Sequence, residues 1–465
     1  MPNVIALAAL AIWPLVAVML FSRMRFDQAL IWTLLVGYLF LPERPAVFDL
    51  PAFPALHKHN IPALAAFLII LQKGGLKGSL LPENIVGKML VLTFVFSPVM
   101  TVLSNGEPVF FGQIGLPGLG LKDMIALPIE QFLLILPFLL ARQHLVSGGA
   151  QRELLKALMV GGLVYSLFML IEMRLSPQLN LWVYGFYQHQ FGQSVRAGGY
   201  RPVVFLYHGL WVAFFVMTSV VAAWSLWRLD EQGNKTKLLM AAGYLTIIIV
   251  LAKSLGALLF AVMLIPLVIV LSPKAQIRVA ILLGSIALAY PLLKGADLVP
   301  QDRMLAAAAS VDPQRAGSLE FRFDNENTLL ERAYIKPVFG WGSWGRNHIL
   351  DPVTGFILTV TDGRWIIVIG VYGWVGFMAE FGLMLLPLIL MWREAVAPRR
   401  DKISPMIAPL SLILAVNMLD MIPNATLTPL SWLIAGALTG YAEKLRAARL
   451  AAGPVETPVF WRSVM

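Results

Sequence analysis

The segment 361–377, TDGRWIIVIGVYGWVGF, sets a carboxylate, Asp362, and a guanidinium, Arg364, at the mouth of an apolar run that Gly370, Gly373 and Gly376 interrupt. A carboxylate can take the proton of an attacking hydroxyl, and a guanidinium can stabilise charge gathering on a leaving phosphate. The pair therefore suits group transfer from a phosphorylated donor. Asp362 has a competing reading as a helix N-cap, for which Asp is a favoured residue. More arginines lie in segments of the same kind: Arg196, Arg201, Arg303, Arg315, Arg322, Arg332 and Arg346. The planar guanidinium fork binds phosphate oxygens two at a time, so this set points to a diphosphate-bearing substrate at a membrane surface. Pairing with the nearby acids Asp312, Glu320, Asp324, Glu326, Glu331 and Asp351 would explain the same residues without a ligand.

A second group of ionisable residues falls inside or at the ends of apolar runs: Glu130, Lys253, Glu380 and Asp420, with His208 near an outer end. Such residues face a cavity or a partner rather than lipid. Lys253 and Ser254 sit at a break between two runs, from which the lysine can reach the interface. Glu380 and Asp420 suit either a proton path or satisfied polar contacts between helices. The stretch GYRPVVFLYHG puts Arg201 and Pro202 where a run starts, at headgroup depth. The aromatic-rich segment 179–193 suits an interfacial belt, or a platform for stacking sugars. Cysteine is absent, and the six histidines include no HExxH spacing, so no dedicated metal site, thiolate or disulfide is expected.

The elements that must position these groups are membrane helices. Hydrophobic residues make up 58% of the 465 and charged ones 13%, against roughly 25% charged in a soluble domain. Apolar segments of about 18 to 22 residues match a hydrocarbon core ~30 Å thick. An all-α polytopic membrane protein follows, with about 12–13 transmembrane helices, near 3–22, 27–42, 60–72, 86–104, 123–142, 153–173, 203–227, 237–252, 254–272, 277–294, 364–392, 403–422 and 426–444. The N-terminal run reads as a retained span, since it has no basic segment ahead of it. A net charge of +10 would suggest nucleic acid in a soluble protein. Here the basic residues concentrate in ARQHLVSGGAQRELLK, WRLDEQGNKTK, SPKAQIR, WREAVAPRRDK and EKLRAARL, which marks these connections as cytoplasmic. The loops 43–59, 105–122, 174–202 and 295–363 then face outward. The organisation is 1–294 as N-terminal spans, 295–363 as a large outer loop, 364–444 as C-terminal spans and 445–465 as a cytoplasmic tail. In the large loop, Leu329, Leu330, Ala333 and Tyr334 have helical spacing, Asp324 or Asn325 can start the helix and Pro337 stops it. The glycines and tryptophans that follow read as a tight interfacial loop. No internal repeat is present.

The order RAGGYRPVVFLYHG, LAKSLGALL, a long outer loop ending in ERAYIKPVFGWGSWG, and DGRWIIVIGVYGWVG resembles the O-antigen ligase and Wzy-type polysaccharide polymerase superfamily, over roughly residues 190–390. The resemblance implies a membrane glycosyltransferase of GT-C-like architecture in a bacterial inner membrane, with its active site facing the periplasm. Such enzymes move a glycan from undecaprenyl diphosphate to an acceptor hydroxyl, without nucleotide sugar, cofactor or metal. The implied partners are the lipid-linked glycan, membrane lipid and other polysaccharide-assembly proteins, and no nucleic acid. Ligases carry a catalytic His in an H-N-x9-G-x-x-G frame. In this chain the frame reads Asp362, Gly363, Gly373 and Gly376, which favours the polymerase branch. The resemblance implies Arg201, Arg322 and Arg364 on the diphosphate, Arg196 and Arg332 in support, and Asp362 as base or acceptor-orienting group. His208, Lys253 and Trp341 complete the substrate-binding set. A ligase acting on a lipid or protein acceptor, a small-anion transporter and a structural assembly partner are the alternatives.

Overall fold

The computed structural model describes residues 1–50, 53–196, 198–311, 313–398 and 402–452. Asp312, the side chain of Arg315 and the tail beyond 452 lie outside the described residues.

The chain is mostly helical. Its elements are α1 (Val4–Arg23), α2 (Phe26–Phe40), α3 (Ile61–Gln72), α4 (Ile85–Leu103), the hairpin β1 (Val109–Phe111) and β2 (Ile114–Leu116), then α5 (Leu121–His144) and α6 (Gly148–Leu175). Next come α7 (Leu179–Tyr184), a second small antiparallel pair β3 (Val195–Arg196) and β4 (Gly199–Tyr200), α8 (Gly209–Arg228), α9 (Lys235–Leu251), α10 (Leu255–Val270) and α11 (Pro273–Gly295). The segment 295–363, called the outer segment for the side the charge bias predicts, holds α12 (Gln301–Val311) and α13 (Pro313–Ile335), and α14 (Arg364–Val396), α15 (Ile407–Asp420) and α16 (Pro429–Ala451) follow.

Helices stand at all thirteen places where the sequence calls for spans. Seven of them, α1, α4, α5, α6, α8, α11 and α14, are long and apolar enough to cross a membrane, while α2, α3, α10 and α15 are apolar but shorter. Local chemistry sets the starts. Asn3 caps α1 by accepting from Ala6 N (3.0 Å), Ser147 caps α6 through Ala150 N (3.1 Å), and Ser272 precedes Pro273 at the first position of α11. The core runs through the bundle, and its tightest contact joins α5 and α16. There Gly436 and Gly440, four apart, face the carbonyls of Phe138 and Arg142, so a side chain at either would collide with backbone.

Three local expectations need correction. The span expected from residue 203 begins at Gly209, because residues 201–208 form an irregular loop in which Val204 has a positive φ of 53°. The outer helix expected to start at Asp324 or Asn325 begins at Pro313, and the small-residue stretch before it is the helix α12.

The third concerns α14, expected as a span over 364–392 interrupted by its glycines but not as one that reverses direction. Gly373 adopts φ 67°, ψ −171° and divides it into two arms. Arg364 and Glu380 nonetheless form a close pair, with Nε to Oε1 at 2.7 Å and Nη2 to Oε2 at 2.6 Å. In a straight helix sixteen residues span about 24 Å, beyond the reach of these side chains. The arms therefore fold back into a V.

A helix break frees amides on one side and carbonyls on the other. The outer segment fills that need. Trp374 N and Val375 N donate to Pro337 O (2.8 Å) and Val338 O (3.2 Å), while Gly370 O and Val371 O accept from Trp341 N and Gly342 N (both 2.9 Å). The segment 337–342 thus lies in the mouth of the V. Gly340, at φ 69°, packs against the backbone of Val371 and Gly373, and Gly373 against Val338.

Candidate functional site

The groups able to meet a ligand gather at the ends of helices that the charge bias places outward. Arg201 opens the loop between β4 and α8. Its side chain is about nine-tenths buried, its Nη2 donates to Lys253 O (3.1 Å), and its Nε has no partner in the protein. Among the described residues no carboxylate pairs with it. Burial, with Arg196 nearby, pulls its pKa down to about 10, which leaves it cationic at neutral pH.

Lys253 joins from the break between α9 and α10, where its φ of 52° turns the chain. Its Nζ donates to Arg196 O (3.1 Å), so Arg196, Arg201 and Lys253 meet although the sequence separates them by up to 57 positions. His208 completes the group. Its Nδ1 accepts from Leu210 N (3.1 Å), capping α8, which leaves Nε2 to donate to Gln193 Oε1 (3.1 Å). Burial, then His189, Arg201 and Arg196, lower its pKa to about 4, so it is neutral at pH 7. A buried guanidinium with a donor to spare, set beside two further cationic residues, is suited to an anion.

A second group surrounds the start of α14. The cap of this helix is Gly363, so the N-cap reading of Asp362 does not hold. The Asp362 carboxylate instead faces Arg322 Nε at 3.2 Å, and both side chains remain partly exposed. Arg364, expected on the diphosphate, is committed to Glu380 as a bidentate pair. Glu130 lies within electrostatic reach of Arg364 and Tyr372, and 3.9 Å from Arg44, whose Nη2 is 3.1 Å from His57 Nε2. Asp420 accepts from Asn424 Nδ2 (2.9 Å) and Thr426 Oγ1 (2.6 Å), which satisfies it within its own turn.

Arg332 and Trp341 do not reach either group. Arg332 stacks on Trp341 (4.1 Å) and Phe111 (4.8 Å) and donates through Nε and Nη2 to Arg346 O. Trp341 Nε1 returns a bond to Arg332 O (2.8 Å). Arg346 is fully buried and holds the carbonyls of Trp341, Pro117 and Glu107. These three residues shape the segment 295–363, and Arg332 and Trp341, expected to bind substrate, are held by one another and by backbone carbonyls. Among the described residues none of the candidate arginines pairs with the nearby acids that would have explained them: Arg322 pairs with Asp362 and Arg364 with Glu380.

A line of ring contacts joins the two groups: His57 to His59 (5.6 Å), His59 to Trp211 (5.7 Å), Trp211 to Tyr207 (5.9 Å), Tyr207 to His189 (5.1 Å) and His189 to His208 (4.8 Å). Sequence reasoning singled out 179–193 as aromatic but missed His57, His59 and Trp211, which carry no local signal. It also missed Glu43, whose carboxylate meets Lys58 Nζ (3.0 Å) and His59 Nε2 (3.1 Å). Burial alone would raise Glu43, but these two partners outweigh it and hold it at about 2. A small pocket lies among Tyr38, Phe215, Ile413, Asn417 and Leu430, with no charged side chain in its lining. Among the described residues no cluster of His, Asp or Glu has the makings of a metal site. No protein-family model matches the chain, and no curated protein matches it.

Proposed function

We propose that the protein is a membrane glycosyltransferase that extends a polysaccharide, using a glycan carried on undecaprenyl diphosphate, at the periplasmic face of a bacterial inner membrane. The observation that supports this most is Arg201: a buried guanidinium with a free donor, beside Arg196 and Lys253, and paired with no acid among the described residues. In this reading the cluster holds the diphosphate. The bond between the sugar's anomeric carbon and the phosphate oxygen breaks, its electron pair stays on the diphosphate, and the acceptor hydroxyl oxygen bonds to that carbon. The hydroxyl's proton passes to Asp362, oriented by Arg322, with the lipid-linked glycan reaching from the Arg201 group to the start of α14. The fold reading that accompanies this is a GT-C-like bundle under a large outer segment, with the shorter apolar helices spanning alongside the seven long ones.

A small-anion transporter would also use a broken helix with a buried ion pair, as α14 has. In this chain the backbone of 337–342 hydrogen-bonds to both sides of the break and occupies it. That favours the transferase.

The test is purified full-length protein in nanodiscs with undecaprenyl-diphosphate oligosaccharide and no nucleotide sugar. A ladder of extended products is expected. A single transferred product would move the assignment to a ligase, and unchanged substrate under conditions where the lipid binds would overturn the transferase reading.

A further inference from the structure

We propose that Glu172 is a positioning residue for the Arg201–His208 anion site: its buried carboxylate holds the connecting loop in a conformation that the loop would not keep alone. The proposal rests on the anion-binding reading of Arg201.

Glu172 lies in the last turn of α6 and is 1% exposed. Among the described residues it has no cationic partner. Its carboxylate accepts three backbone amides: Leu179 N at Oε1 (3.0 Å), and Val203 N (2.8 Å) and Val204 N (2.7 Å) at Oε2. Val204 needs holding, because a β-branched residue at φ 53° is strained, and strained backbone persists only where its surroundings over-determine it.

The rest of the loop is equally determined. Phe205 N donates to Tyr165 Oη (3.0 Å) and Leu206 N to Val203 O (3.1 Å). Gln188 Nε2 donates to Val204 O (2.8 Å) and Leu206 O (3.1 Å), and Lys58 Nζ to Phe205 O (2.7 Å). Every amide and carbonyl from Val203 to Leu206 is thereby satisfied, nearly all by buried side chains rather than by regular secondary structure. Arg201 and His208 flank this fixed segment, so its geometry sets their separation. A site whose supporting groups are locked binds without first having to order itself.

The absence of native cysteine makes the loop's mobility measurable. A nitroxide on Tyr207→Cys, an exposed position in the loop, reports motion by electron paramagnetic resonance, and farnesyl diphosphate serves as a soluble probe of the site by calorimetry. Glu172→Gln keeps the volume but turns a donor towards amides that already donate. It is expected to sharpen the spectrum and weaken probe binding at least tenfold. Tyr165→Phe, which frees one amide and is the gentler change, is expected to act in the same direction by several-fold. Arg449→Gln, which breaks the pair with Glu394 far along the chain, should move neither readout.

Wild-type probe affinity in Glu172→Gln, with Arg201→Ala defective, overturns the positioning role and leaves the anion site standing. Wild-type affinity in Arg201→Ala removes the anion site itself, and the positioning role with it. Should Glu172→Gln not survive purification, Tyr165→Phe decides: unchanged affinity and an unchanged spectrum overturn the proposal.

Discussion

At the scale of single residues, the guanidinium of Arg201 and the carboxylate of Asp362 carry different loads. Arg201→Ala is expected to weaken farnesyl diphosphate binding at least tenfold in calorimetry, and Arg201→Lys to recover only part of it, because an ammonium lacks the bidentate fork. Asp362→Asn should leave binding within about twofold and lower turnover by 10²-fold or more, the range for loss of a general base. Retained turnover would remove Asp362 from the chemistry. Arg201 was legible in the sequence because an arginine at the outer mouth of an apolar run defies the charge bias. Glu172 was not. Its partners are backbone amides from two later segments, and no inspection of charges reveals a carboxylate satisfied by peptide groups. The contacts of Arg332 were hidden for the converse reason: an arginine in such a segment looks the same in sequence whether it awaits a phosphate or stacks on Trp341 and Phe111.

At the scale of elements, hydropathy located the helices well, since each is an apolar run of nearly unbroken length. It did not reveal the fold-back in α14. Gly370, Gly373 and Gly376 mark where a break could fall but not that the chain reverses there, and what accompanies the reversal is the segment 337–342 that fills the break. Gly373→Ala introduces a Cβ against Val338 at a backbone angle that favours glycine. A loss of about 1–3 kcal/mol from backbone strain is expected, and more if Val338 cannot yield. Thermal unfolding in detergent would register it as a lowered Tm, and an unchanged Tm would mean that α14 is not divided there. The irregular 201–208 loop escaped notice similarly, because VVFL reads as span while its backbone leaves helical geometry at Val204.

At the scale of the whole molecule, the charge bias gives a topology that a cysteine-free chain tests directly. Thr354→Cys should react with a membrane-impermeant maleimide from outside intact cells, and Gln232→Cys only after lysis; the reverse pattern would invert every assignment of inner and outer face. The outer network also fixes how stability responds to acid. Burial, with His59 and Arg44, lowers His57 to about 3, and His208 stands at about 4, against 6.5 when unfolded. Between those values the unfolded chain binds the extra protons, so stability falls as pH drops from about 6.5 towards 3. Glu43, at about 2 against 4.5 unfolded, acts with the same sign lower down: its contribution is whole above 4.5 and is lost as pH falls through 2. Tm should accordingly hold near neutrality and decline steadily below pH 6.5, and a Tm that rises on acidification would contradict this charge assignment.

The insertion of 337–342 into the mouth of α14 bears on how such a protein can be recombined. Exchanging the outer segment between related chains at the visible helix boundary, residue 363, would separate amides from the carbonyls that complete them. The loop and the folded arms travel only together, and with them the segment 101–117 that Arg346 and Lys336 hold, so chimaeras that keep these parts from one parent should fold where cuts at the helix start do not.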